Sequence, residues 1–122
     1  MDKKVTYHEQ TDIENTLRLR DVLKTLPPFC RDFFRAIEPR TTTKTRISYA
    51  YDIRIFFQFL LDENPAFKDY KMTDFTVDVL DQIKALDLEE YQEYLSREGE
   101  DNNTYYPVKI QASKLLLAHA ED

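Results

Sequence analysis

Apolar residues return every three or four positions along most of this chain, the period of one face of an α-helix. Ile13, Leu17, Leu19, Val22, Leu23 and Leu26 form the first such run. Thr11-Asp12-Ile13-Glu14 opens it with the form of a capping box, in which threonine and glutamate satisfy each other's backbone N–H groups, so the first helix is expected to start there. Pro27-Pro28 ends it, because proline lacks an N–H and its ring clashes with the preceding turn. Phe29, Phe33 and Ile37 then share a face, with Phe34 beside them, in a short amphipathic helix that Pro39 closes. The longest helix is predicted over Thr43 to Glu63, with a threonine as N-cap and Asn64-Pro65 as the stop. Tyr49, Ile53, Phe56, Phe57 and Leu60 make its main stripe. Ile55 and Phe59 lie well round the cylinder, so this helix is expected to sit between others.

The second half is less regular. Phe75, Val77 and Val79 alternate as in a strand, while Leu80, Ile83 and Leu86 fit a helix, and residues 66–86 read as a loop with a short helix. Asp87-Leu88-Glu89-Glu90 again resembles a capping box. Leu88, Tyr91, Tyr94 and Leu95 follow on one face, and Gly99, the chain's single glycine, stands where a left-handed C-cap residue belongs. A last helix is predicted over 108–118. One glycine and five prolines in 122 residues leave little material for a many-turned sheet, so the chain reads as one all-α domain, a small four- to five-helix bundle.

Several kinds of chemistry drop out early. No apolar run approaches the roughly 20 residues of a membrane span and MDKKVTYHEQ has no signal-like segment, so a cytoplasmic chain without membrane association is expected. Cys30 is the only cysteine and reads as a small buried hydrophobe. His8 and His119 have no neighbouring ligands, and neither a metal nor a cofactor is expected. Glu89, Glu90 and Glu93 lack apolar neighbours to shift their ionisation and read as a solvated face rather than an acid/base pair.

Charge is more informative. The net charge is -6, yet residues 31–54 hold six basic side chains against three acidic ones, whereas 61–101 hold four against thirteen. A net-acidic chain lacks the overall field of a nonspecific nucleic-acid binder. Its start of the long helix, RTTTKTRIS, nevertheless has three cations and no acid. Backbone N–H groups at a helix start favour a phosphate, hydroxyls can donate to it, and Arg40, Lys44 and Arg46 add charge. The equal alternative is a solvated cap flanked by ordinary surface cations.

Thr45 to Leu60, TRISYAYDIRIFFQFL, resembles the threonine–tyrosine–aspartate–phenylalanine helix of the tyrosine recombinase core-binding domain, the SAM-like N-terminal domain of phage-type integrases. Asp87 to Leu95, DLEEYQEYL, is similar to that family's later tyrosine–leucine helix and follows at a suitable distance, and Phe29 to Ile37 resembles its opening helix. The likeness covers roughly residues 25–100. It implies a core-binding domain over 25–122, with 1–24 as an extension carrying the first helix. It also implies a DNA clamp, one half of which is this domain. The family's tyrosine nucleophile and its arginine, lysine and histidine partners belong to a separate C-terminal domain with no counterpart here, so the chain itself is not expected to be an enzyme. The resemblance implies duplex DNA, that catalytic domain and further copies assembled on DNA as partners. The residues it marks for DNA are Arg40, Thr42, Thr43, Lys44, Thr45, Arg46, Ser48 and Tyr51. In the last helix it marks Lys109 and Lys114, the only cations of KIQASKLLLAHAED, where the family carries several.

A helical protein-interaction module, whose acidic half recognises a basic partner, is the other reading. A DNA clamp requires residues 40–48 and the start of the last helix on one concave, acid-free face; an adaptor does not.

Overall fold

The computed structural model describes residues 6–98 and 114–118. Among them there is no strand; the elements are α1 (Tyr7–Leu23), α2 (Cys30–Ile37), α3 (Thr43–Glu63), α4 (Val77–Leu80) and α5 (Ala85–Glu98), with three short 3₁₀ turns at Glu38–Arg40, Pro65–Phe67 and Met72–Asp74. Residues 114–118 form a further helical segment whose Leu116 is fully buried.

Helix α3 is the axis of the bundle. Its bounds are those predicted, with Thr42 as N-cap accepting the Thr45 N–H at 3.1 Å and Asn64 ending the helix. Helix α1 packs on it most extensively and runs in the same direction, as the pairs Thr43–Asp12 and Arg54–Thr25 show. Helix α2 returns between them, placing Phe29 beside Phe57 and Glu38 beside Arg46. Helix α5 starts near the end of α3, where Asn64 donates to Asp87, and runs back so that Tyr91 and Tyr94 meet Phe59. Phe59 thus makes the second contact that its place on the helix required.

The core is mostly aromatic. Phe57 lies 6.1 Å from Phe29, 5.6 Å from Phe56 and 4.8 Å from Phe75, joining α2, α3 and the segment after it. Phe67 and Tyr70 extend the cluster beyond Phe75, and Tyr91 closes it against Phe56. Leu19, Val22 and Leu26 belong to the same core, so the first helix is part of the domain rather than an extension from it.

Two helix starts differ from expectation. The capping box of α1 is Thr6 with Glu9, not Thr11 with Glu14; Thr11 lies inside the helix and its hydroxyl donates to the Tyr7 carbonyl. The extra turn is exposed on all sides and shows no apolar period. In α5, Asp87 is not the cap but the third helical residue, its carboxylate accepting the Lys84 N–H at 2.8 Å. Gly99 and residues 108–113 lie outside the described residues.

Burial governs the two perturbed titrations. Cys30 is fully buried, and removal from water pushes its thiol up to about 12, which makes it inert as a nucleophile. Burial, with Asp52 and Tyr94 nearby, raises the Tyr91 phenol well above its ordinary value, and its hydroxyl has no hydrogen-bond partner among the described residues. The fold therefore keeps a proton that the unfolded chain releases near pH 10, and Tyr91 makes stability fall as pH rises above that value. Tyr91→Phe should flatten this alkaline fall by up to about 1.4 kcal/mol per pH unit, leaving the contribution of Cys30. Urea midpoints measured across alkaline pH check it; equal slopes for both proteins would refute it.

Candidate functional site

The region marked by the sequence is the start of α3 and the turn before it. Pro39 permits a 3₁₀ turn rather than a further α-turn, and this brings Glu38–Arg40 directly before the Thr42 cap. Arg40, Thr42, Lys44 and Ser48 are exposed, and Thr43 and Thr45 are partly so. Tyr51 is also exposed, with the Arg54 guanidinium 5.1 Å from its ring centre. Lys44, Ser48 and Tyr51, spaced by four and three, lie on one side of α3; the first turn of the helix holds no acid, and Asp52, four residues after Ser48, is buried. The N–H groups of Thr43 and Lys44 have no acceptor among the described residues.

Arg46 stands apart, and its expected place is corrected. It is 9% exposed, and its guanidinium turns inward, donating to the carbonyls of Glu38 and Thr41 at 3.1 and 2.8 Å and to the hydroxyls of Thr41 and Thr43 at 3.0 and 3.1 Å. No carboxylate pairs with it among the described residues. Its work is to donate to the Thr41 carbonyl and to give the Glu38 carbonyl, which also accepts the Thr41 N–H at 3.4 Å, a second donor. Thr43 is also engaged, donating to the Asp12 carboxylate of α1 at 3.0 Å. The face at residues 40–48 is therefore not free of acid, although Asp12 approaches about a quarter turn away from the Lys44–Tyr51 side. Lys114 is exposed, and Lys109 lies outside the described residues.

A second feature escaped the sequence reading. Between α1 and α2, closed at one end by Thr43 and Arg46, lies a groove of about 700 Å³. Arg20 and Lys24 line it from α1 and Arg31 and Arg35 from α2, all four exposed, while Asp12 and Glu38 stand at its α3 end. The signal was present as two cation pairs at i,i+4, which place both members of each pair on one helix face.

The described residues thus form an all-α bundle with exposed cations along the walls of the α1–α2 groove and, separately, at the start of α3. They contain no group of histidine, cysteine and carboxylate side chains arranged to hold a metal, and no helix long and apolar enough to cross a membrane. No known protein family, curated protein or solved structure matches the chain.

Proposed function

We propose that this chain is the core-binding domain of a site-specific tyrosine recombinase, holding duplex DNA for a catalytic domain carried elsewhere in the same protein. The observation that carries the reading is the exposed line from Arg40 through Lys44 and Ser48 to Tyr51, polar or cationic throughout and joined to a helix start with unpaired N–H groups. Such a line suits a phosphate backbone: cations neutralise it, N–H groups and hydroxyls donate to it, and the helix dipole favours it. The threonine–tyrosine–aspartate pattern of α3 and the paired tyrosines of α5 support the family. On this reading the protein is cytoplasmic, assembles with further copies on DNA and leaves strand cleavage to the catalytic domain.

The interface is small and the chain acidic, so binding is expected to be weak and confined to low ionic strength. Arg46 is left out of the test because it supports the fold. Replacing Arg40 and Lys44 by alanine should weaken binding equally for unrelated duplexes and lower the slope of log K against log salt by about 1.8, or 0.9 for each phosphate no longer neutralised. Fluorescence anisotropy over a salt series measures both. Unchanged affinity with an unchanged slope would remove the phosphate assignment.

A further inference from the structure

We infer that the groove between α1 and α2 is a docking site for an acidic amphipathic helix of a partner protein, distinct from the DNA-facing line on α3. Its shape comes first. The lining residues of α1 run from Asp12 to Lys24, about 18 Å along the helix axis, a length suited to roughly three turns of a second helix rather than to a compact metabolite. The floor is apolar, with Leu19 and Phe34 nearly closed off and Leu23 half-buried, and a sugar–phosphate backbone has nothing to place there. Beyond Arg20 the apolar surface continues on α1: Ile13 is 50% exposed and Leu17 is 53% exposed, an i,i+4 pair outside the core formed by the described residues.

Charge then selects the occupant. Arg20, Lys24, Arg31 and Arg35 are all exposed, and the salt bridge from Lys24 to Asp21, at 3.8 Å, engages only one of them. These cations face the groove from both walls, so carboxylates on either flank of an incoming helix would meet opposite charge. The far end is different, because Asp12 and Glu38 flank the entry near Thr43. An acidic stretch is repelled there and attracted at the end where α1 finishes, and this gradient fixes the direction in which the helix lies. Phosphates spaced evenly along a duplex would meet repulsion at the same acids. The fit is to leucine-like side chains on the floor and on Leu17, with glutamates gathered at one end.

The test uses the whole chain and two labelled synthetic peptides of equal charge. One carries leucines on one helical face and glutamates towards one end; in the other, serines replace the leucines. Fluorescence anisotropy should show the leucine peptide binding at least about tenfold more tightly than the serine control, and Arg31→Glu with Arg35→Glu should weaken it by about tenfold or more. Leu17→Ser, at an exposed position that leaves the core intact, should also weaken it. Amide shifts on peptide addition should fall on α1 and α2 rather than along Lys44–Tyr51. Equal binding of the two peptides would reduce the groove to a nonspecific polyanion site and overturn the proposal. So would absence of binding, shifts confined to α3, or displacement of the peptide by duplex DNA. The Arg40 and Lys44 variants report on DNA separately, so either assignment can fail alone.

Discussion

Phe57→Ala is expected to lower stability by about 3–5 kcal/mol, the usual cost of removing a buried phenylalanine and leaving a cavity. For a single small domain whose total stability is of order 5–15 kcal/mol, that loss removes from about a fifth to all of it. The effect is placed at Phe57 because its ring meets Phe29, Phe56 and Phe75, so one deletion loosens α2, α3 and the connection to α4 together. Phe57→Leu, which keeps most of the volume, should recover much of the loss. Circular dichroism during urea denaturation measures both variants, and a Phe57→Ala midpoint close to that of the parent would show that the site collapses around the deletion.

Arg46→Met should cost about 2–3 kcal/mol. The substitution removes four hydrogen bonds from a charged donor and leaves the Thr41 carbonyl without a donor among the described residues, while the Glu38 carbonyl keeps the Thr41 N–H and part of the burden of a buried charge is relieved. The urea midpoint is expected to fall with little change in the denaturant slope. Under conditions where the variant remains folded, the salt dependence of DNA binding should match the parent, because the guanidinium faces inward. An unchanged midpoint with a reduced salt slope would return Arg46 to the DNA surface.

This reassignment shows where sequence reasoning reached and where it stopped. The extent of α3 was legible because both ends carry strong local signals, a threonine cap and Asn64-Pro65. Its central position was legible because apolar residues on two sides demand two partners. Arg46 was grouped with Arg40 and Lys44 by composition, although it stands on the line Arg46, Ala50, Ile53, Phe57, Leu60, whose members are all buried. Extending that stripe by one turn would have placed the side chain inward. The true start of α1 was hidden for the opposite reason: Tyr7 to Gln10 are exposed and follow no apolar period, so only the Thr6–Glu9 box marks them. The Thr43–Asp12 hydrogen bond and the α1–α2 groove depend on how helices distant in sequence come to lie side by side. Helical spacing within each element carries no information about that.

The unequal burial of α1 and α3 sets two tiers of hydrogen exchange. From Arg46 to Leu60, buried residues recur on more than one side of α3, so its central amides should exchange only when the whole domain opens. Helix α1 has no buried residue before Leu19, and its first turns are held by little more than their own hydrogen bonds and the link from Asp12 to Thr43. Those amides should exchange through local opening, far faster than the centre of α3. Each such opening withdraws the Asp12 carboxylate and releases the Thr43 hydroxyl. A polyanion at the start of α3 would therefore favour the opened form and hasten exchange in the first half of α1, even while it protects the helix it touches.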